Sequence, residues 1–378
     1  MTTKDWRRYF GLREAGVYYA LLLLMAIIGL VTASSSGANY FSAANLTNIL
    51  YQASLVGMMG VAMTVILITG NFDLSVASVA ALSGAVLISL AGALGFWPAA
   101  AVAMLIAIGV GLLNGAIVQL LGINAFIVTL GTLTAIRGLV LIVTNSRSLM
   151  IEDPAVKAQM VAFEGGRAPI QAALFVIGGL LVAGAAYARF RQKKDKTATP
   201  WGAAIGGVAL IGLGLLGGPS LSVAKPVVYT AVYTLVVWFV LGFTTIGRRV
   251  YAVGGNSEAA RLSGVNVGLY KMAAFVLCSG TAGFAGILFA SRLGAINPTA
   301  LQGAELTVIA AAILGGTSLF GGAGSVVKTL VGALLLFALA NGFNILDLGA
   351  NYQGLIEGTV VVAAAAIYTV GGARRRRA

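Results

Sequence analysis

The sequence predicts an all-α polytopic membrane protein with about twelve transmembrane helices, some of them broken or re-entrant. Hydrophobic residues make up 59% of the chain and charged residues only 9%, whereas soluble domains carry roughly 25% charged residues. Asp73 is the only charged residue between Glu14 and Arg137, and each charge-free block beside it can hold two spans of about 20 residues. The 51 glycines suit close contact between helices in lipid. The chain is therefore expected to cross a bilayer many times.

Apolar runs predict where the chain crosses the membrane. The predicted spans lie near 17–33, 47–69, 74–94, 98–121, 125–143, 171–188, 201–217, 227–245, 273–291, 304–315, 325–345 and 353–371. The first run follows basic residues, as a secretory signal does. It is long for a signal and no clear cleavage site follows it, so we expect it to be retained. The predicted organisation is a cytoplasmic segment 1–16, a transmembrane domain 17–371 and a basic cytoplasmic tail 372–378.

Basic residues at the ends of the spans predict the orientation. They cluster before the first span, in 189–196, in 247–271 and in 374–377, and these clusters hold most of the 24 lysine and arginine residues. Alternation through the predicted spans places every cluster in the cytoplasm, as the positive-inside rule requires. Orientation therefore explains the net charge of +13, and no nucleic-acid partner is expected. The tract 144–170 becomes the largest outside loop, which is either merely solvated or large enough to meet a partner.

Composition excludes several chemistries. The chain has no histidine, and its one cysteine, Cys278, cannot form an internal disulfide. No paired carboxylates, nucleophile elbow or metal-ligand cluster is visible, so we predict no catalytic residues, no metal and no cofactor. The run GLGLLG at 212–217 matches a dinucleotide fingerprint, but it lies in an apolar span without a preceding strand, which favours helix packing. The run GGAGSVVKT lacks the glycine that a Walker A loop has before its lysine, so any use of ATP requires another subunit.

Polar interruptions between apolar runs mark candidate residues of a translocation pathway. They are GNFDLSVAS at 70–78, GAELTV at 303–308 and the glycine-rich GGTSLFGGAG at 315–324. Polar groups and broken helices at membrane depth are tolerated mainly where they line a cavity or are buried in protein. The candidates are Asn71, Asp73, Ser75, Glu305, Thr317 and Ser318. The alternative is that these are ordinary turns at span ends, with Asp73 capping the following helix.

Two further charges, Arg137 and Glu357, fall inside predicted spans. For each of them, snorkelling towards the membrane surface or a structural ion pair explains the charge at least as well as a role in transport.

The loop 247–271, GRRVYAVGGNSEAARLSGVNVGLYK, predicts a short charged helix with marked ends. Asn256 or Ser257 can act as the N-cap, and Gly264 can supply a left-handed stop. Arg261 can pair with Glu258 three residues earlier. On these residues alone, a solvated loop helix is the favoured interpretation.

Several motifs in this order resemble the permease subunits of bacterial ABC importers for monosaccharides such as ribose and xylose. They are GNFDLSVAS, GRRVYAVGGNSEAARLSGVNV, SRLGAINPTA, AELTVIAAAILGGTSLFGGAGSV and NGFNIL. The resemblance runs from about residue 40 to the C-terminus, and the additional apolar pair within 171–217 is most similar to xylose-type permeases. Departures from the family pattern leave the sugar open. They are Asn71-Phe72 for Gly-Ile, Ala77 for Gly, Thr307 for Asp and Glu357 for Lys.

The resemblance implies a permease subunit of an ATP-driven monosaccharide importer in the bacterial inner membrane, with a pentose such as xylose as the cargo. It implies a cytoplasmic ATPase subunit with tandem nucleotide domains, a periplasmic sugar-binding protein and a second permease copy as partners. It also implies that the short helix docks into the ATPase, with Ala259, Ala260 and Leu262 as its apolar contact. The coupling residues so assigned are Asn256, Ser257, Glu258, Ala259, Ala260, Arg261, Leu262, Ser263 and Gly264.

Two other classes of function remain open. An ion-coupled secondary sugar transporter could use Asp73, Glu305 and Glu357, but no dense intramembrane relay is visible. A membrane-embedded enzyme would need a catalytic cluster, and the sequence shows none.

Overall fold

The structure, a computed structural model, describes residues 12–35, 37, 39–191, 201–218, 221–348, 354–355 and 358–359. Its first helices are α1 (Leu12–Ser35), α2 (Ala43–Ile68), α3 (Val76–Leu94), α4 (Phe96–Leu120), α5 (Ala125–Thr144), α6 (Pro154–Met160), α7 (Gln171–Arg191) and α8 (Trp201–Gly217). They are followed by α9 (Lys225–Phe243), α10 (Thr245–Gly255), α11 (Ser257–Leu262), α12 (Val267–Leu293), α13 (Ala304–Leu314) and α14 (Val326–Ile345). The short strands are β1 (Leu149–Met150), β2 (Arg167–Pro169), β3 (Ser222–Ala224) and β4 (Ala295–Ile296).

The helices confirm an all-α membrane protein. Within the described ranges, 8 helices are long and apolar enough to cross a membrane, namely α1 to α5, α9, α12 and α14. Shorter apolar helices are found at Gln171–Ala186, Ala204–Gly217 and Ala304–Leu314. Each predicted span up to residue 345 therefore coincides with a helix. Most of the span predicted at 353–371, including Glu357, lies outside the described residues, so the count of about twelve stays a prediction.

Two breaks in the helices match the polar interruptions of the sequence. The chain is non-helical at 70–75 and again at 315–325. The helix α13 has only 11 residues, which makes it about 16 Å long, roughly half of the hydrocarbon core of a bilayer. The predicted broken segments are therefore present.

The two ends of the helix bundle differ in structure. At one end, β1 pairs with β4 and β2 pairs with β3, both antiparallel. We call this the β end. The opposite end carries the turn 70–75, the helices α10 and α11 and the loop 315–325, and we call it the α11 end. The spans α2 and α3 connect the two ends and are the most buried of the 8 spans. In the most apolar stretch of each, 83% of the residues of α2 and 78% of those of α3 are buried inside the protein.

Glycines let the central helices approach until their backbones touch. A Cβ added at Gly286 of α12 would overlap the carbonyl oxygen of Ala80 in α3. A Cβ added at Gly111 of α4 would lie 2.8 Å from the carbonyl oxygen of Phe275 in α12. Lipid chains are as apolar as the side chains, so association in the membrane depends on such close van der Waals contact.

The tract 144–170 is folded although many of its residues are exposed, so a solvated loop and a partner-binding loop both stay predictions. Asp153 caps α6 by accepting hydrogen bonds from the N–H groups of Ala155 at 2.7 Å and Val156 at 3.4 Å. A π-helical turn, Val161–Gly165, follows α6 and buries Glu164 against the bundle. The tract therefore presents a structured surface at the β end.

The additional helix pair α7 and α8 packs mainly on itself. A Cβ added at Gly178 would lie 2.7 Å from the carbonyl oxygen of Gly207, so the two backbones are in contact. Gln171 Nε2 also donates to the carbonyl oxygen of Gly214 at 3.1 Å. The pairing of β2 with β3, in register Pro169 to Ser222, closes the base of the pair.

The first prediction tests the close contact between α12 and α3. Gly286→Ala is expected to destabilise the protein by about 1–3 kcal/mol, because the new methyl group overlaps the Ala80 carbonyl. Gly280→Ala is the matched control in the same helix, since its Cβ would meet only Ile108 Cγ1 at an ordinary 3.6 Å. Cys278 is buried, so the rate at which a thiol-reactive dye labels it during heating reports unfolding. Equal midpoints for the two variants would contradict the close contact.

Candidate functional site

The short charged helix predicted in the loop 247–271 is present as α11. Asn256 is its N-cap, and its side-chain oxygen accepts from the Ala259 N–H at 3.0 Å. Gly264 follows the helix with a left-handed φ of 80°, and its N–H donates to the Arg261 carbonyl at 3.0 Å. Both ends are therefore fixed by hydrogen bonds, as the sequence indicated.

One side of α11 is exposed and the other is anchored. Arg261 and Glu258 form an ion pair at 2.8 Å with both side chains mostly exposed. Leu262 is 80% exposed, and Ala259 is exposed as well. Ala260 is only 5% exposed and packs against the protein itself. The expectation that Ala260 offers an apolar contact to a partner is therefore wrong, and Ala260 fixes the helix to the bundle instead.

The helix α10 ties α11 to the rest of the α11 end. Val250 and Val253 of α10 are buried, whereas Arg248 and Arg249 are exposed. Tyr251 Oη donates a hydrogen bond to the carbonyl oxygen of Gly324, at 2.9 Å. Burial raises the pKa of the Tyr251 phenol, so the hydroxyl stays protonated and keeps donating at neutral pH. The loop 315–325 and α10 are thereby joined.

Asp73 is the centre of a buried hydrogen-bond network. Its Oδ1 accepts from the N–H of Ser75 at 2.9 Å and from the Ser75 hydroxyl at 2.5 Å. Its Oδ2 accepts from the Ser279 hydroxyl of α12 at 3.4 Å. Asn114 Nδ2 of α4 donates to Ser75 Oγ at 3.1 Å, and Thr132 of α5 donates to Asn114 Oδ1 at 2.7 Å. The network thus holds the start of α3 against three other helices.

The structure brings most of the predicted pathway residues to the α11 end, where all of them except the half-buried Ser318 are buried. Asp73 and Ser75 are fully buried, and Asn71 is 6% exposed and donates to Thr69 Oγ1 at 3.2 Å. Thr317 is 4% exposed, and Ser318 Oγ accepts from the Phe320 N–H at 3.2 Å. Asp73 therefore stabilises the turn before α3 through Ser75, but the N-cap of α3 is Ser75 itself, so the expectation that Asp73 caps this helix is wrong. The pathway role of these residues stays a prediction.

Glu305 lies apart from this group, at the start of α13 towards the β end. Its Oε2 is buried and has no hydrogen-bond partner among the described residues. A cavity of about 430 Å³ lies beside it, lined by Val56, Leu301, Gln302, Gly303, Ala304, Thr307, Leu336 and Phe337. Arg137 donates to the carbonyl oxygen of Ala300 at 2.7 Å, so it holds the segment that leads into α13. For Arg137 this is a structural role.

A charged cluster at the β end was missed by sequence reasoning. Glu164 Oε1 accepts from the Tyr51 hydroxyl at 2.6 Å and from Arg292 Nε at 3.0 Å. The Arg292 guanidinium also stacks on the Tyr51 ring, 3.7 Å from its centroid. A cavity of about 670 Å³ opens beside Tyr51, Glu164 and Arg167. The cluster fixes the folded tract 144–170 to α2 and α12. The sequence offered no signal for the pair, because Glu164 is one of several charges in the tract 144–170 and Arg292 lies 128 residues further along the chain.

Nothing in the described part of the chain points to a metal centre. Among the described residues, no group of three or more cysteine or acidic side chains could hold a metal ion.

Comparison with known proteins places these elements in a family. Residues 45–365 match the family described as branched-chain amino acid transport system, permease component. The chain belongs to this permease family. The ribose import permease protein RbsC of Escherichia coli K12 is 35% identical over 370 residues, which cover 96% of this chain and 98% of the relative. The xylose transport system permease protein XylH of the same strain is 34% identical and covers 92% of this chain and 90% of the relative.

A second xylose permease is similar to this chain over nearly its whole length. The XylH protein of Haemophilus influenzae is 33% identical over 365 residues, covering 93% of this chain and 96% of the relative. No solved structure matches the chain. The expectation of a translocation subunit rather than an enzyme is confirmed, since a permease component is a transport subunit.

The second prediction separates the two roles of Asp73. Asp73→Asn is expected to fold normally, because an amide oxygen can still accept from Ser75 and the amide nitrogen can donate to the Ser279 hydroxyl oxygen. Asp73→Ala is expected to lose about 1–3 kcal/mol of stability, because the buried Ser75 and Ser279 donors lose their acceptor. Thermal unfolding of both variants measures this. Asp73→Asn protein that is stable yet fails to transport would show that the carboxylate also acts in the pathway, whereas normal transport would retire that role.

Proposed function

We propose that the chain is the membrane-spanning permease subunit of an ATP-driven importer for a monosaccharide, a pentose such as xylose or ribose. It forms the translocation pathway and takes its driving force from a separate ATPase subunit. The observation that carries the proposal is α11, a short helix capped at both ends that displays a charged and apolar face away from the bundle. Similarity to ribose and xylose permeases over nearly the whole chain supports the cargo class.

The geometry of α11 suits the transfer of motion between subunits. The sequence has no phosphate-binding loop, so nucleotide-driven work must reach the spans through contact with a partner. A helix with hydrogen bonds at both ends keeps its shape when a partner pushes on it. The exposed Leu262 and the Glu258–Arg261 pair give a partner groove both an apolar and a charged contact.

The proposed orientation places the α11 end and both termini in the cytoplasm of a bacterial cell, with the protein in the inner membrane. Arg248 and Arg249 in α10 support this, since basic residues accumulate on the cytoplasmic side. The β end then faces the periplasm. Its structured tract 144–170 suits docking of a soluble sugar-binding protein. A cytoplasmic ATPase with tandem nucleotide domains and a second permease copy complete the proposed assembly.

An ion-coupled secondary transporter is less well supported by the geometry. It would need acidic residues close enough to pass a proton or hold an ion. Asp73 is bonded to serine hydroxyls at the α11 end, whereas Glu305 lies at the start of α13 towards the other end. The two carboxylates therefore form no relay with each other.

The third prediction tests coupling through α11. Gly264→Val is expected to re-aim the end of the helix at a cost of about 1–2 kcal/mol, because a β-branched residue resists the left-handed conformation. A Cβ at Gly264 meets no atom within 4 Å, so the effect comes from the backbone alone. Glu258→Arg replaces the ion pair with Arg261 by repulsion. Both variants should insert and fold, yet ATP hydrolysis in reconstituted vesicles should lose its stimulation by the sugar-loaded receptor.

The matched control for Glu258→Arg is Asp347→Arg, an exposed acidic residue that follows α14 and lies outside the tract 144–170. This variant makes the same change of charge at the opposite end of the bundle. It should leave the contact between the ATPase subunit and the permease unchanged, so the sugar-loaded receptor should still stimulate ATP hydrolysis. Full stimulation in both α11 variants would mean that α11 is a solvated helix and that coupling occurs elsewhere.

The fourth prediction tests the orientation. A membrane-impermeant thiol reagent added to intact cells with a permeable outer membrane should label Ala158→Cys, which is exposed in α6. The same reagent should leave Thr197→Cys, in the basic tract after α7, unlabelled until the inner membrane is opened. The natural Cys278 is buried and contributes little background. The reverse pattern of labelling would overturn the proposed orientation.

A further inference from the structure

Three segments that are distant in sequence meet backbone to backbone at the α11 end. The N–H of Gly322, in the loop 315–325, donates to the carbonyl oxygen of Ile68, the last residue of α2, at 2.9 Å. Gly254, in the last turn of α10, lies directly against both of these groups. The Tyr251 hydroxyl bond to Gly324 adds a second connection between α10 and the loop.

The contact has no room for side chains. A Cβ added at Gly254 would overlap the Ile68 carbonyl oxygen and lie 2.8 Å from the Gly322 nitrogen. A Cβ added at Gly321 would lie 2.7 Å from the Gly254 carbonyl oxygen and 3.1 Å from Gly70 Cα. Gly321 and Gly322 also have φ angles of 86° and 73°, which side chains rarely adopt. Gly255, the next residue of α10, is different, because its Cβ would meet nothing within 4 Å.

This contact lies between α11 and the turn that contains Asp73. Gly255 is followed at once by the Asn256 cap of α11, and Gly70 is followed by the turn 70–75. We propose that Gly254, Gly321 and Gly322, together with the Ile68 carbonyl, form a backbone joint that makes α11 move as one body with the turn 70–75 and the loop 315–325. The inference rests on the proposed function, because it concerns how the movement of α11 reaches the spans.

Direct backbone contact is what makes such a joint stiff. Long side chains can change rotamer and so absorb a displacement, whereas packed main-chain atoms have no such freedom. The joint therefore assigns a positioning role to glycines that touch neither ATP nor sugar. It also explains why the turn 70–75 and the loop 315–325, both non-helical, keep a fixed position beside α10.

The test compares adjacent residues in one helix. Gly254→Ala should still assemble with the ATPase subunit and leave unstimulated ATP hydrolysis unchanged. The amount of sugar transported per ATP should fall by at least about fivefold, the lower end of typical coupling between distant sites. Gly255→Ala makes the same chemical change one residue later, into open space, and should transport like the natural protein. Equal ratios in the two variants would overturn the joint.

A second measurement works even where Gly254→Ala fails to assemble. Spin labels at Ala252→Cys and Phe320→Cys, both exposed, report the distance between α10 and the loop in a Cys278→Ala background. The joint requires the same distance distribution with and without ATP. A distance that changes with nucleotide in a fully coupled transporter would disprove the joint and leave the proposed function intact. Absence of receptor-stimulated hydrolysis in the natural protein would instead disprove the proposed function.

Discussion

Main-chain contact without intervening side chains is the constraint on which this structure depends. Within lipid, apolar side chains gain little by leaving their solvent, so the helices must be held by close packing and by bonds between polar groups. Gly286 lets α12 touch the carbonyl of Ala80, and Gly254 lets α10 touch the carbonyl of Ile68. The first contact builds the core of the bundle, and the second fixes the elements of the α11 end. Side chains at either position would separate helices whose mutual position defines the fold.

The non-helical segments between the helices also depend on contacts made by the main chain. Backbone N–H and C=O groups that are not bonded within a helix must form hydrogen bonds to other groups of the protein when no water can reach them. In the turn 70–75, the carboxylate of Asp73 takes up the N–H of Ser75. In the loop 315–325, the N–H of Gly322 uses the carbonyl of Ile68, and the N–H of Ser318 bonds to the Ala323 carbonyl at 2.9 Å. These bonds satisfy part of the backbone of the irregular segments inside the protein and so help to stabilise them without helical structure.

The sequence predicted local features such as helices and helix caps well, and it predicted contacts between residues distant along the chain poorly. Hydropathy located the helices because burial in lipid acts on each run separately, and the caps of α11 followed from Asn256 and Gly264 alone. The prediction that Ala260 contacts a partner was wrong, because Ala260 is buried against the bundle. Which side of the six-residue helix α11 faces the bundle depends on its packing against α10 and α12. Sequence reasoning also missed the contact of Glu164 with Arg292, 128 residues away along the chain. Such a pair is specified by how the helices pack, and a single sequence does not display that.

The pairing of β2 with β3 has a consequence for how this protein is built. Pro169 and Ser222 are already neighbours across that ladder, so the chain leaves the bundle and re-enters it at one point. Everything between them, the hairpin of α7 and α8, is a module attached at its base. The hairpin begins and ends at the same point of the bundle, so it can be present or absent without inverting any later helix. Evolution could have inserted it into an older bundle in one step, with no other part of the protein rearranged.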